Sequence, residues 1–208
     1  MQGLVPLFPV YLGAIALPLV VALLPPRPGG REFAVEVGVG LGFLAFGALV
    51  LQFVLIGRVP QLANPVGLDR LMQAHRLAGI LAGTLVAGHV LVLITSRNEF
   101  LRFYDPRGGF TELTRSAALW GVTGALVLLF TSTFFRKRLR LAYQYWHLGH
   151  SFLALFILMV AGVHVFRVSH YSAEPWKMAW WPASALAGRR TVGVDPPLPS
   201  ATATQAAV

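Results

Sequence analysis

Four histidines occur in the sequence as two pairs with the same internal spacing. His75 and His89 are fourteen residues apart in one apolar segment, and His150 and His164 are fourteen residues apart in another. In an α-helix fourteen residues turn through about 1400°, close to four whole turns, and rise about 21 Å. Each segment is therefore predicted to point two imidazoles in one direction at two depths. Because neutral imidazole is a common ligand of haem iron, the spacing predicts two stacked haems between two helices.

The remaining histidines fit this pattern less well. His147 is seventeen residues from His164, which places it about 100° away from a common helical face, so His150 is assigned as the ligand. His147 is predicted beside the haem or at the membrane edge, and His170 in a solvated loop. A single membrane histidine can also be a proton relay or a hydrogen-bonding group. Four histidines at matched intervals favour haem ligation.

The composition indicates the medium in which these histidines lie. Of the 208 residues, 56% are hydrophobic and only 12% are charged, whereas a soluble domain carries about 25% charged residues. The fold is predicted to be an all-α, polytopic transmembrane helical bundle, with the haems between spans three and five. One membrane domain, residues 1–187, is predicted to contain five full spans at 7–24, 33–57, 71–95, 117–135 and 141–165, with a short helix at 176–187 and a disordered tail at 188–208.

The distribution of basic residues predicts how the bundle is oriented. The densest basic cluster, Arg136–Arg140, joins spans four and five and is predicted to be cytoplasmic, since cytoplasmic loops are enriched in Lys and Arg. The loop at 96–116 holds four arginines and argues for the opposite orientation. Spans three and five run in the same direction, so His75 is predicted to face His150 near the cytoplasm. His89 then faces His164 near the outside.

The composition also excludes several kinds of site and partner. The chain has no cysteine, which excludes disulfides, cysteine-ligated iron–sulfur clusters and covalent CxxCH haem attachment. The net charge of +9 arises mostly from cations that flank apolar spans, and it predicts contact with lipid headgroups rather than with nucleic acid.

Two further features of the third span fit either a haem or ordinary membrane packing. Arg76 and Arg70 are predicted to meet haem propionates or to extend towards lipid headgroups. Small residues would let a flat macrocycle approach the backbone, or would let another helix pack closely. These residues are Ala74, Ala78, Gly79, Ala82, Gly83, Ala87 and Gly88.

The histidine pattern and three further stretches resemble a known family. The stretches are LLFTSTFFRKRL at the end of span four, YQYWHLGH at the start of span five, and YSAEPWKMAW after span five. Together with His75, His89 and His164 they resemble the ferric reductase-like transmembrane domain over about residues 33–181. Ferric-chelate reductases, NADPH oxidases and the haem-binding membrane subunit of bacterial methionine sulfoxide reductase share this domain.

The resemblance implies that His75, His89, His150 and His164 bind two b-type haems, with electrons entering from the cytoplasm. Family reductases usually continue into FAD- and NAD(P)H-binding domains, but only twenty residues follow Gly188 and no strand–GxGxxG–helix unit is recognised. The expected electron donor is therefore a separate cytoplasmic flavin reductase, which would bring FAD and NAD(P)H, or membrane quinol.

These observations lead to a functional hypothesis and an alternative. The chain is expected to carry single electrons across a bacterial inner membrane to ferric iron, oxygen or a periplasmic protein, as an oxidoreductase component. The alternative is a non-catalytic membrane anchor or assembly protein on the same scaffold, with one haem or none. A proton transporter ranks last, because it would need acidic partners in the spans and the chain offers little beyond Glu36.

Overall fold

The computed structural model describes residues 8–57, 67–168 and 170–179. These residues form helices and no strands, which confirms the predicted all-α class. A 3-10 helix at Asn98–Tyr104 follows the third α-helix. In chain order the α-helices are α1 (Phe8–Leu23), α2 (Phe33–Ile56), α3 (Leu68–Ser96), α4 (Phe110–Phe134) and α5 (Tyr143–Val168).

Four helices, α2 to α5, are long and apolar enough to cross a membrane. They contain 24 to 29 residues, and a helix of 24 residues rises about 36 Å, more than a hydrocarbon core of roughly 30 Å. Helix α1 has 16 residues and rises about 24 Å, less than a full span. The described residues therefore contain four of the five predicted spans at full length.

The last predicted helix, 176–187, is seen only at its start. Residues 175–179 are helical, and the rest of this segment lies outside the described residues. The tail at 188–208 also lies outside them.

The largest difference from the predicted boundaries is at α4, which begins at Phe110 instead of residue 117. Its first turn contains Glu112, and a carboxylate there interacts favourably with the helix dipole. Backbone hydrogen bonding does not require apolar side chains, so a helix continues beyond the part that crosses the apolar core. The hydropathy pattern located that apolar part and missed the polar beginning of the helix.

The buried core of the bundle lies where α2 packs between α1 and α3. Seven buried residues from these three helices form one cluster: Ile15, Ala48, Leu51, Leu55, Leu71, Ala74 and Ala82. The backbones approach closely at Gly47, where an added Cβ would lie 2.2 Å from the carbonyl oxygen of Ile15. The small residues Ala74 and Ala82 of α3 thus serve ordinary helix packing against α2.

Helices α4 and α5 pack against each other beside this three-helix unit. Phe130 of α4 reaches α3 at Gly83, where an added Cβ would lie 2.2 Å from the end of the ring. Trp120 of α4 donates its indole N–H to the carbonyl oxygen of Tyr104 at 3.1 Å. These contacts hold α4 beside α3 and the 3-10 helix, and α4 in turn positions α5.

The chain after α5 folds back over the ends of α1 and α2. Lys177 is only 1% exposed, and its ammonium group donates to the carbonyl oxygens of Ala22 at 3.1 Å and Pro26 at 3.0 Å. The hydroxyl of Tyr171 donates to the carboxylate of Glu36 near the start of α2. Both interactions join the end of α5 to the α1–α2 unit, at the end of the bundle opposite the Arg136–Arg140 loop.

Candidate functional site

The four histidines singled out by their spacing meet as two pairs between α3 and α5. The ring centres of His75 and His150 are 6.3 Å apart with their planes at 67°. The ring centres of His89 and His164 are 6.2 Å apart with their planes at 74°. We call the first the basic-end pair, because it lies at the end of the bundle that carries Arg136–Arg140, and the second the far-end pair.

The histidine side chains bridge two helices whose backbones are not closely packed. Helix α3 packs mainly on α2, whereas α5 packs mainly on α4. His75, His89 and His150 are half-buried, and His164 is exposed. The paired rings thus face each other across the distance between α3 and α5 without a tight helix–helix interface between them.

His89 of the far-end pair has a hydrogen-bond partner on α2. Its Nδ1 lies 2.8 Å from the carbonyl oxygen of Gly38. Since a carbonyl oxygen can only accept, Nδ1 carries the proton and Nε2 is left with a free lone pair. Gly42, one turn further along α2, makes room for the ring, because an added Cβ would lie 2.7 Å from Nδ1.

His150 of the basic-end pair has a partner on α4. Its Nδ1 lies 3.3 Å from the hydroxyl oxygen of Thr133. That hydroxyl donates its one proton to the carbonyl oxygen of Leu129 at 2.7 Å, so towards His150 it acts as an acceptor. Nδ1 of His150 therefore donates, and its Nε2 lone pair is free.

The antiparallel packing of α2 and α3 places a second carbonyl in the equivalent position beside His75. Gln52 is fourteen residues beyond Gly38, and its backbone lies beside His75. Among the described residues, however, Nδ1 of His75 is buried and has no hydrogen bond of normal geometry. The two histidines of α3 thus differ in how α2 supports them.

The two pairs fit a metal that takes only two ligands from the protein. Within the described ranges, no group of three or more His, Cys, Asp or Glu side chains could hold an ion, whereas structural zinc sites use four protein ligands. When two imidazoles bind one metal from opposite sides, each metal–nitrogen bond is about 2.0 Å long. The distance from each nitrogen to its own ring centre adds to this length, so the two ring centres lie roughly 6 Å apart. The separations of 6.3 Å and 6.2 Å are compatible with one iron between the rings of each pair, for which a porphyrin would supply the other ligands.

The other candidate residues lie around these pairs. Arg76 follows His75 on α3, is exposed, and takes part in no ion pair with another described residue. His147 is exposed, and its ring centre lies 5.8 Å from that of Tyr143. It is His150, and not His147, that the structure brings to His75.

His170 lies in a turn after α5, as predicted, but it is half-buried rather than solvated. Its Nε2 is buried, and its ring centre lies 4.8 Å from that of Tyr171. The cause is the fold-back of the chain after α5, which packs this segment against the ends of α1 and α2.

Sequence reasoning missed four residues beside the paired histidines. Gly38, Gly42 and Thr133 contact the histidines as described above, and the ring centre of Trp146 lies 5.1 Å from that of His150. The signal for Trp146 was its position one helical turn before His150. Gly38 and Gly42 could have been found from their spacing of four residues, which places them on one face of a helix. Nothing in the sequence pointed to Thr133.

Trp146 also connects the site to the basic loop. The guanidinium carbon of Arg136 lies 5.1 Å from the centre of the Trp146 ring system, within the range of a cation–π interaction. Arg136, Trp146 and His150 thus form a continuous line of contacts from the loop to the basic-end pair.

Comparison with known proteins gives one relative of similar length. The chain is 29% identical over 150 residues to an uncharacterized protein of Archaeoglobus fulgidus, and the match covers 70% of this chain and 80% of the relative. No solved structure matches the chain.

A family match covers most of the bundle described above. The family described as "Ferric reductase like transmembrane component" matches residues 41–161. This range is more than half of the chain and includes His75, His89 and His150, whereas His164 follows three residues after it. The chain belongs to the ferric reductase-like transmembrane family.

Proposed function

We propose that this protein is a membrane b-type haem protein that carries single electrons across the bilayer. Membership of the family suggests a membrane electron-transfer component. The observation that carries the finer proposal is the pair of facing histidines at each of two levels, with ring centres 6.3 Å and 6.2 Å apart.

In this proposal His75 and His150 hold one haem, and His89 and His164 hold the other. Haem bound at these positions supplies one-electron redox chemistry at two depths of the membrane. The chain contributes neutral imidazoles, which avoid the high free-energy cost of a charged side chain in the bilayer. Arg76 is proposed to pair with a haem propionate near the membrane edge.

The two ends of the bundle are proposed to serve different partners. The Arg136–Arg140 loop indicates that the basic end is cytoplasmic. A separate flavin reductase carrying FAD and NAD(P)H, or membrane quinol, is the proposed donor at the basic end. The proposed acceptor at the far end is ferric iron, oxygen or a periplasmic protein, with the chain in a bacterial inner membrane.

Haem quantification on purified protein tests the cofactor. Wild-type protein, purified in mild detergent from a host with ample haem, is expected to contain two haems per chain. The variants His75→Ala, His89→Ala, His150→Ala and His164→Ala are each expected to contain about one, because each removes one axial ligand. His147→Ala and His170→Ala are matched controls that should stay near two. A wild-type protein without bound haem would overturn the proposal.

Reconstituted vesicles test electron transfer itself. Vesicles that contain an impermeant reductant are expected to reduce an external impermeant ferric chelate only when the wild-type protein is present. His89→Ala and His75→Ala should each abolish this activity, whereas His147→Ala should retain it. A haem-loaded protein that supports no reduction would favour the non-catalytic anchor or assembly role instead.

A further inference from the structure

We infer that one histidine of each pair is fixed in a single tautomer by a helix that supplies no ligand, His150 by Thr133 of α4 and His89 by Gly38 of α2. This inference rests on the proposed function. It assigns positioning roles to residues that never touch the iron.

Thr133 can act on His150 only as a hydrogen-bond acceptor. Its hydroxyl proton is directed to the carbonyl oxygen of Leu129 at 2.7 Å, while its oxygen lies 3.3 Å from Nδ1 of His150. The hydroxyl therefore keeps the proton on Nδ1 and leaves the Nε2 lone pair of His150 free, in a ring whose centre lies 6.3 Å from that of His75. No other hydrogen bond holds the His150 ring among the described residues.

Helix α2 acts on His89 through the backbone carbonyl of Gly38 and through the space that Gly42 leaves for the ring. The carbonyl oxygen of Gly38 accepts from Nδ1 at 2.8 Å. The ring lies so close to Gly42 that an added Cβ would be 2.7 Å from Nδ1 and 2.9 Å from Cε1. A side chain at position 42 would displace the ring from the carbonyl, so glycine at this position preserves the hydrogen bond.

These hydrogen bonds have a consequence for redox properties as well as for geometry. An imidazole that donates its second N–H to an acceptor is a stronger base towards the metal. A more basic ligand favours ferric over ferrous iron, so each hydrogen bond lowers the midpoint potential of its own haem. The two pairs receive this support from different helices, so each potential can be changed separately.

The first test compares Thr133→Val with Thr133→Ser in haem-loaded protein. Valine has nearly the shape of threonine but no acceptor, whereas serine keeps the hydroxyl. Thr133→Val is expected to retain two haems and to raise the midpoint potential of one of them. Loss of such a partner typically changes metal affinity by about tenfold or more, and a tenfold change in the ferric-to-ferrous affinity ratio corresponds to about 59 mV. Thr133→Ser should keep the wild-type potential.

The second test compares Gly42→Ala with Gly40→Ala. An added Cβ at Gly40 has no atom within 4 Å, so this variant controls for placing alanine on the same helix. Gly42→Ala is expected to shift the potential or the low-spin absorption spectrum of the other haem, or to lower its occupancy. Gly40→Ala should match the wild type in haem content, spectrum and potential.

The outcomes separate this inference from the proposed function. A wild-type protein without haem overturns the proposed function and the inference with it. A wild-type protein with two haems, whose potentials are the same in Thr133→Val, Thr133→Ser and wild type, overturns the role of Thr133 and leaves the proposed function intact. If Thr133→Val does not fold, Thr133→Ala also lacks the hydroxyl and must reproduce the rise in potential.

Discussion

Histidine is tolerated inside a bilayer because it can remain neutral while it binds a metal. A carboxylate or ammonium group at the same depth would cost several kcal/mol unless it were paired. At the far end, Lys177 is buried and Glu36 is half-buried, and both have direct hydrogen-bond partners. Two predictions concern these groups and their partners.

The first concerns the titration of Tyr171. Burial, together with the hydrogen bond to Glu36 and its negative charge, raises the pKa of Tyr171 to about 12. In the unfolded chain the phenol has a pKa of about 10. Between these values the unfolded chain releases a proton that the folded chain keeps, so this contribution to stability is present below pH ~10 and is lost as the pH rises towards ~12.

Glu36→Gln is therefore expected to lower the pKa of Tyr171, because it removes the carboxylate charge. The measurement is the phenolate absorbance of each protein minus that of its Tyr171→Phe counterpart, recorded against pH. If Tyr171 in otherwise wild-type protein titrated near 10, the hydrogen bond to Glu36 would not exist in solution.

The second concerns the buried ammonium group of Lys177. Lys177→Met keeps an unbranched side chain of similar size but removes the ammonium group and both of its hydrogen bonds to the carbonyl oxygens of Ala22 and Pro26. We expect a loss of about 1.5–3 kcal/mol in the free energy of unfolding, the range for hydrogen bonds to charged groups. Denaturation in detergent measures it, and Lys137→Met in the exposed loop is the control. Equal stability of the two variants would contradict the proposed anchoring.

Helix α2 organises the bundle although it carries no candidate ligand. It packs against α1 and α3, and its carbonyl at Gly38 holds His89. The contact with α1 depends on Gly47, where an added Cβ would lie 2.2 Å from a backbone oxygen that cannot move independently of the helix. An added methyl group at Gly47 can therefore be accommodated only if α1 and α2 move apart.

Gly47→Ala is accordingly expected to destabilise the fold by about 1–3 kcal/mol, the usual cost of overpacking. Gly13→Ala on α1 is the control, because an added Cβ there has no atom within 4 Å. Thermal unfolding in detergent compares them. A Gly47→Ala protein as stable as Gly13→Ala would mean that α1 and α2 are further apart than described.

The sequence was sufficient to predict the four long apolar helices and which histidines face each other. Hydropathy located α2, α3, α4 and α5, and helical periodicity with the direction of crossing placed His75 opposite His150. These features depend on spacing along one helix. The roles of Thr133 and Gly38 depend on which helix lies beside which and in what register, and that is decided by side-chain packing across the bundle. The partial burial of His170 was missed for the same reason, since it depends on the fold-back held by Lys177.

The apolar surface of the bundle is distributed as a membrane protein requires. Large apolar side chains on α5 are strongly exposed, with Leu148 and Phe152 each at 70%. In water this surface would drive aggregation, whereas in a bilayer it contacts lipid chains. The exposed apolar surface therefore indicates that the bundle lies in a membrane, but it does not indicate which end of the bundle faces the cytoplasm.

The orientation can be tested with the lysines, because the sequence contains only Lys137 and Lys177. Lys137 lies in the basic loop, and Lys177 is buried and already bonded to two carbonyl oxygens. An impermeant amine reagent is expected to leave Lys137 unmodified in intact cells and to modify it in inverted membrane vesicles. Lys137→Arg gives the background in each case, and Lys177 should react only after unfolding. Modification of Lys137 in intact cells would place the His75–His150 pair near the outside, and the proposed donor and acceptor ends would exchange while the haem content stayed the same.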